Sequence, residues 1–220
     1  GQSGAMIQEK VNKMNNFREV EVAYCATPGS VELRFTGTKD RVTEVTEQTR
    51  KIFSADLLNE TGDLIEEELH DLFIQRSETV ACAESCTAGG IAERISSVPG
   101  CSQYFLGGVI AYANEIKMKE LGVKAETLAE KGAVSEEVAI EMAEGIRAKF
   151  KCDWGMSITG IAGPGGGSEE KPIGLFYTAI AGESGTRARK YQSGGNRSQI
   201  REYGIQSAMN EIWRAIRANA

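Results

Sequence analysis

Residues 79–90 read T-V-A-C-A-E-S-C-T-A-G-G, and this stretch decides the fold. Its first part, residues 80–83, is an unbroken run of small apolar residues, which is typical of a strand that helices cover on both faces. Apolar residues at helical spacing begin after Thr87. The stretch therefore predicts a buried strand, a tight turn and a helix over 87–97, with Ser85 or Thr87 as the N-cap.

The predicted turn carries four side chains that can take part in chemistry: Glu84, Ser85, Cys86 and Thr87. A helix N-terminus has unpaired backbone N–H groups and a partial positive charge, so this junction could bind an anion or stabilise an oxyanion. Simple helix capping explains Ser85 and Thr87 equally well from their spacing alone.

Outward from this stretch, strand-like and helical patterns alternate. The predicted strands are 80–83, 104–112, 154–159, 175–181 and 187–192, and the predicted helices are 63–76, 87–97, 114–121, 135–150 and 196–218. Alternation of this kind is typical of an α/β protein, and the two successive strands near the end favour a mixed sheet. We expect residues 61–220 to form a three-layer α/β/α domain with a mixed, mostly parallel sheet.

The part that precedes this domain has a different pattern. Residues 20–24 and 31–35 alternate apolar and polar side chains around turn residues 27–30, which predicts a β-hairpin. A helix follows over 40–53, and Leu57 and Leu58 suggest a short strand. We expect a small α+β domain over 7–60, and we interpret residues 1–6 as a remnant of cloning that lies outside the fold.

Composition excludes several classes of function. The net charge is −6 and the isoelectric point about 5.1, so no basic surface is expected for nucleic acid or anionic membranes, and no apolar window is long enough to span a bilayer. The five cysteines form no C-x-x-C pair, which favours free thiols in a reducing, cytoplasmic compartment. His70 is the only histidine and is expected on a helix surface, so serine, threonine, tyrosine, lysine or a carboxylate would have to move protons.

Two further junctions could contribute to a site at the same edge of the sheet. Residues 160–167, which follow a predicted strand, contain five glycines and can bring backbone N–H groups close to a ligand. Tyr112 ends another strand, Asn114 could cap the next helix, and Lys117 lies one turn into that helix. A lysine near a serine can act as its base if burial lowers the lysine pKa, although Lys117 taken alone would be a solvated lysine.

Several motifs together resemble one known family. They are A-E-S-C-T-A-G at 83–89, G-G-V-I-A-Y-A-N-E-I-K at 107–117, G-A-V-S-E-E-V-A at 132–139, T-G-I-A-G-P-G-G-G at 159–167, E-K-P-I-G at 170–174 and G-N-R at 195–197. Over residues 63–218 the sequence resembles the CinA C-terminal domain family, the nicotinamide mononucleotide (NMN) deamidases. Residues 7–60 resemble the small KH-like linker domain of full-length CinA proteins, whose larger N-terminal domain is missing here.

The resemblance implies hydrolysis of the NMN carboxamide in the cytoplasm, as a step of pyridine nucleotide salvage, without a metal or another cofactor. It assigns Ser85 as the nucleophile or as a hydroxyl that orients water, places Thr87 beside it, and gives proton transfer to Tyr112 and Lys117. Cys86 stays open as a competing nucleophile. The implied substrate-binding residues are Glu84, Asn114, Thr159, Gly160, Gly163, Gly165, Gly166 and Arg197, with Asn114 placing the amide and Arg197 pairing with the phosphate.

Three positions depart from the family pattern: Ala88 replaces a frequent glycine, Gly90 a large apolar residue, and Asn196 a common aspartate. Of these, Gly90 could alter activity, because it loosens the start of the helix. The expected partners are the mononucleotide and a second copy of the chain, for which the last helix with Trp213 offers a surface. Two alternatives remain: an interaction or dimerisation module linked to competence or DNA damage, and a part of a protein that hydrolyses ADP-ribose.

Overall fold

The structure, a computed structural model, describes residues 4–13, 19–27, 30–54 and 56–218. The chain divides into two compact units, of which the first ends at Asp63 and the second begins at Leu64.

The first unit consists of helix α1 (Gly4–Asn12), strands β1 (Val20–Thr27) and β2 (Ser30–Gly37), and helix α2 (Lys39–Phe53). The predicted hairpin and the helix that follows it are confirmed, and β1 and β2 pair antiparallel from Val20↔Gly37 to Thr27↔Ser30. Residues 28–29 of the predicted turn, and residues 1–3, lie outside the described residues.

Two predictions for this unit are wrong. Residues 4–6, interpreted as a remnant outside the fold, form the first turn of α1, and Val11 of that helix is buried beside Phe53. Leu57 and Leu58 form no strand, because neither pairs with β1 or β2.

The second unit contains the buried strand of the opening stretch. Its elements are α3 (Ile65–Arg76), β3 (Val80–Glu84), α4 (Gly90–Ser96), β4 (Phe105–Ile110), α5 (Asn114–Leu121), α6 (Ala125–Lys131), α7 (Glu136–Phe150), β5 (Trp154–Gly160), β6 (Leu175–Gly182), β7 (Gly185–Gln192) and α8 (Arg197–Ala218). Of these, α6 was not predicted, because its seven residues are mostly polar and none is fully buried.

The five strands form one mixed sheet in the order β4-β3-β5-β6-β7. β3 pairs parallel with both β4 and β5, whereas β6 is antiparallel to β5 and to β7. Four of the five strands therefore run in one direction, which confirms the mixed, mostly parallel sheet. β7, whose sequence is largely polar, lies at one edge of the sheet.

Helices cover both faces of this sheet. α7 packs against β5 and β6, with α5 and α6 beside it, while α4 and α8 pack on the other face and α3 lies outside them. Gly155 of β5 is essential to the close packing of α7, because a Cβ atom there would be 2.2 Å from the carbonyl oxygen of Ala143. Trp213 of α8 is only 3% exposed and belongs to the core. The expectation that Trp213 offers a dimer surface is therefore wrong.

β4 approaches the first half of β3 closely. A Cβ atom on Gly108 would lie 2.6 Å from Cys82 Sγ, and a register shift places Leu106 as an extra residue between the pairs Val80↔Phe105 and Ala81↔Gly107. Gly108 therefore permits the close approach to β3, whereas Gly107, with φ of +125°, lies beside the Phe150 ring. None of the helices in the described parts of the chain has both the length and the apolarity that a bilayer span requires.

Candidate functional site

The candidate site begins with the turn that follows β3. Glu84, the last residue of the strand, is 1% exposed, and its carboxylate accepts hydrogen bonds from the backbone N–H groups of Gly89 (3.0 Å), Ile91 (3.1 Å) and Ala92 (2.9 Å). A carboxylate at a helix N-terminus satisfies unpaired N–H groups and interacts favourably with the helix dipole. Glu84 therefore fixes the start of α4 to the end of β3.

The predicted caps of two helices are wrong. The N-cap of α4 is Gly89, with φ of +96°, and neither Ser85 nor Thr87 caps it. The anion site expected at this helix end is not free either, because Glu84 already occupies three of its N–H groups. The N-cap of α5 is Ala113, and Asn114 is the first residue inside that helix.

Lys117 meets Ser85 at the centre of the site. Lys117 is 1% exposed. By contrast, Lys119 on the same helix and Lys124, just after the helix ends, are exposed. Its Nζ lies 3.1 Å from Ser85 Oγ, 2.6 Å from the carbonyl oxygen of Ala111 and 3.1 Å from that of Tyr112. The structure thus brings together the two residues that the sequence placed on different elements.

The three oxygen neighbours of the Lys117 nitrogen are compatible with both of its protonation states. An uncharged amine has two N–H donors and one lone pair, whereas an ammonium has three donors and no acceptor. An ammonium donates to Ser85 Oγ and to both carbonyl oxygens, whereas a neutral amine donates to the two carbonyl oxygens and keeps its lone pair for the Ser85 hydroxyl proton. Burial lowers the pKa of Lys117 by disfavouring its charged form, while the Cys86 thiolate would act in the opposite direction. This arrangement can transfer a proton from Ser85 to Lys117.

Cys86 and Thr87 follow Ser85 but point into the protein. Burial raises the pKa of the Cys86 thiol to about 12, so the thiol stays protonated near neutral pH. Thr87 is 0% exposed, and its hydroxyl has no hydrogen-bond partner among the described residues. Its methyl group faces α8, because a Cβ atom on Gly204 would lie 3.8 Å from Thr87 Cγ2.

Arg197 joins the outer part of the site. One of its guanidinium nitrogens donates to the carbonyl oxygen of Gly163 (2.8 Å) and the other to the Tyr112 hydroxyl (3.2 Å). Arg197, Tyr112 and Asn114 are all exposed. The first turn of α8, the glycine-rich loop and the residues after β4 therefore meet at one place on the surface.

The glycine-rich loop after β5 contains glycines with different roles. Gly160 allows strand packing, because a Cβ atom there would lie 2.4 Å from Phe176 Cβ, whereas Gly163 has φ of +75°. A Cβ atom on Gly165 would meet nothing within 4 Å, and Gly166 has φ of +86°. Thr159, 1% exposed, donates its hydroxyl hydrogen bond to the carbonyl oxygen of Ala133 at 2.7 Å. The loop tip is thus open to a ligand, while its base is packed.

Neither the histidine nor a cluster of acidic and thiol ligands adds to this site. His70 is half-buried on α3, where its ring meets the edge of Tyr104 at 5.5 Å, so the predicted surface position is wrong. Within the described ranges, no three His, Cys, Asp or Glu side chains are arranged to hold a metal ion.

One residue near the site was not anticipated from the sequence. Arg201 of α8 donates a hydrogen bond of 2.6 Å from its guanidinium to the carbonyl oxygen of Thr87. Its position four residues after Arg197, on the same face of a helix, was the available signal.

Similarity to known proteins extends over most of the chain. Residues 63–216 match the model of the family described as CinA C-terminal domain. A CinA-like protein of Synechococcus sp. is 39% identical over an alignment 225 positions long, which covers 98% of this chain and 53% of the relative. A CinA-like protein of Kosmotoga olearia is 39% identical over an alignment 224 positions long, which covers 98% of this chain and 54% of that relative. The chain therefore spans about half the length of the curated relatives it matches.

A solved structure shares the fold of the second unit. The crystal structure of the competence/damage inducible protein CihA from Agrobacterium tumefaciens aligns with a TM-score of 0.67 and 35% identity, covering 70% of this chain and 93% of that one. That relative consists almost entirely of the aligned part.

Proposed function

Because this chain belongs to the CinA C-terminal domain family, we propose that it hydrolyses the carboxamide of nicotinamide mononucleotide to nicotinate mononucleotide and ammonia. The observation that carries the proposal is the buried Lys117 amine, 3.1 Å from Ser85 Oγ and with a lowered pKa. A base of this kind is what an amidase requires when histidine is not at hand.

The proposed reaction has two steps. Ser85 Oγ attacks the carboxamide carbon while Lys117 takes the hydroxyl proton. Lys117 then gives this proton to the leaving nitrogen, the C–N bond breaks, and ammonia departs from an ester on Ser85. In the second step water attacks the ester carbon while Lys117 takes one of its protons. Lys117 gives this proton to Ser85 Oγ, the bond between the carbonyl carbon and Oγ breaks, and the acid product leaves and ionises to the carboxylate.

Backbone donors at the turn are suited to the oxyanion that forms in each step. The Ser85 N–H is already bonded to the carbonyl oxygen of Ile158 at 3.1 Å, but the N–H groups of Cys86 and Thr87 have no backbone acceptor among the described residues. Donors that directly follow a nucleophile can lie close to the oxygen that acquires charge. We assign these two groups to the oxyanion.

Arg197, Tyr112 and the open tip of the glycine-rich loop would bind the nucleotide. The Arg197 guanidinium presents two donors to the acceptors Gly163 and Tyr112, and a phosphate would offer stronger, charged acceptors. Asn114, exposed one turn before Lys117, is proposed to place the amide. As part of the same proposal, the reaction takes place in the cytoplasm and the chain forms a homodimer, which light scattering of the purified protein would measure.

The test is ammonia release from NMN, with the product identified by chromatography. We expect turnover by the 220-residue chain, and a fall of at least about 10³-fold when Lys117→Met removes the base. Lys119→Met is the matched control, since Lys119 is exposed two residues further along the same helix, and we expect wild-type turnover from it. Full activity in Lys117→Met, or no ammonia from folded wild-type protein, would contradict the proposal.

A further inference from the structure

Two arginines reach the site from the start of α8. Arg197 and Arg201 are four residues apart and therefore lie on one face of the helix. Arg197 is exposed and contacts Gly163 and Tyr112, as described above. Arg201 is half-buried and reaches past the surface to the turn that carries Ser85.

The atom that Arg201 contacts lies within this turn. The Thr87 carbonyl oxygen accepts the 2.6 Å bond from Arg201 and a longer one, 3.2 Å, from the backbone N–H of Gly90. Ala88 and Gly89 follow with positive φ angles of +51° and +96°. An alanine in the left-handed region costs about 1–2 kcal/mol, so surrounding contacts have to hold the turn in this shape.

Arg201 has no acidic partner among the described residues. It forms no ion pair within the described parts of the chain, and its Nε is buried without an acceptor there. By contrast, Arg94, which is also half-buried, pairs with Glu66 and Glu202. A guanidinium that is partly withdrawn from water without a counter-ion is costly, which favours a role that needs both its reach and its charge.

The same face of α8 packs tightly against the start of α4. A Cβ atom on Gly90 would lie 2.4 Å from Ile205 Cδ1, and Gly204 is adjacent to the Thr87 methyl group. Glycine at position 90 therefore leaves room for the Ile205 side chain. α8 is thus a rigid support behind the turn, and Arg201 is its polar contact.

We propose that Arg201 is a positioning residue that holds the Ser85–Thr87 turn through the Thr87 carbonyl and so keeps Ser85 Oγ within reach of Lys117. The inference rests on the proposed function only in taking Ser85 as the nucleophile. The charge of Arg201 also acts on this turn, because it lowers the pKa of the Cys86 thiol against the larger, raising effect of burial.

The test uses a fluorophosphonate, which reacts with activated serines and requires no nucleotide. Ser85 Oγ forms a bond to phosphorus, the P–F bond breaks, fluoride leaves and the hydroxyl proton goes to Lys117. The rate is followed by intact mass on the whole chain, and Ser85→Ala shows that labelling is at this serine. We expect labelling to slow on the order of 10²-fold in Arg201→Met, because a displacement of about 1 Å has an effect of that size.

Two further variants separate positioning from a general loss of structure. Arg201→Lys keeps a donor for the Thr87 carbonyl and should stay within about 5-fold of the wild-type rate, and Arg187→Met, at an exposed arginine of β7, should equal it. With NMN, Arg201→Met should lower kcat while KM changes less than about 3-fold. If thermal unfolding shows that Arg201→Met does not fold, Arg201→Gln replaces it in the same comparison.

The outcomes distinguish this inference from the proposed reaction. Labelling of Arg201→Met at the wild-type rate would overturn the inference, and so would a wild-type protein in which Ser85 is not labelled at all. A wild-type protein that is labelled at Ser85, loses labelling in Arg201→Met and releases no ammonia from NMN would support the inference while contradicting the proposed substrate.

Discussion

At the scale of single residues, the neighbours Ser85 and Cys86 have opposite chemical settings. Ser85 Oγ contacts the Lys117 amine, whereas the Cys86 thiol has a pKa raised to about 12 by burial. A thiol is nucleophilic only as a thiolate. The Cys86 sulfur is therefore held in its unreactive, protonated form. The sequence left this choice open, because it depends on which way each side chain points from the turn.

We predict that Ser85→Ala abolishes ammonia release, by at least about 10³-fold, while Cys86→Ala retains most of it. The measurement is initial rate with NMN for both variants, after circular dichroism has shown that both are folded. The reverse order of activities would move the nucleophile to Cys86.

Lys117 also predicts how stability depends on pH. Its pKa is lowered in the folded protein and is about 10.4 in the unfolded chain. Between these two values the unfolded chain holds one more proton than the folded protein, so the free energy of unfolding rises with pH, by up to about 1.4 kcal/mol per unit. Below both pKa values Lys117 is protonated in the folded and in the unfolded state, so it adds nothing to the pH dependence of stability there.

Urea unfolding across this window checks the prediction. The wild-type protein should gain stability relative to Lys117→Met as pH rises, and Lys119→Met should follow the wild type. Parallel pH curves for wild type and Lys117→Met would show that Lys117 keeps its ordinary pKa in the folded state.

At the scale of elements, the turn between β3 and α4 is held by one carboxylate at its own start and by one arginine of a helix distant in sequence. Glu84 fixes it from the sheet side and Arg201 from α8. Local capping rules pointed to Ser85 and Thr87, yet a carboxylate at the end of the preceding strand took their place. The available signal was a charged residue at the end of an apolar strand, which must find partners when buried.

For the same reason, Glu84→Gln should lower the free energy of unfolding by about 2 kcal/mol. In the carboxylate, one oxygen accepts from Ala92 and the other from both Gly89 and Ile91. A glutamine presents an NH₂ donor at one of these places and loses at least one bond. Chemical denaturation measures the change, with Glu93→Gln, at an exposed residue of α4, as the control that should differ by less than about 0.5 kcal/mol. Equal stability of Glu84→Gln and wild type would show that the cap is dispensable.

At the scale of the whole molecule, the sequence predicted the layered architecture well. Buried strands such as 154–159 and amphipathic helices such as α7, whose N-cap is Ser135, have strong sequence patterns. α6 and α1 were missed, since α6 is short and polar and α1 begins in residues that were set aside as a remnant. Strand order and the meeting of α8 with the Ser85 turn depend on contacts distant in sequence, which a local pattern does not contain.

The division of the chain predicts that residues 64–220 fold and react alone. The described contacts form a compact unit beginning at Leu64, and the Agrobacterium tumefaciens relative consists almost entirely of the part that aligns with this unit. We expect the fragment to unfold cooperatively and to release ammonia from NMN within about 3-fold of the whole chain. A folded fragment without activity would mean that residues 1–63 contribute to the site.

The position of β3 as an inner strand of the sheet has a consequence for hydrogen exchange. Its backbone is bonded to a strand on each side and helices cover both faces, so its amide hydrogens should exchange with deuterium only when the sheet itself opens. The Ser85 amide extends this protection through its bond to Ile158, whereas Arg197, Tyr112 and Asn114 are exposed. We therefore expect Ser85 to be anchored to a slowly opening part of the unit, while the groups that would meet the nucleotide belong to an exposed surface.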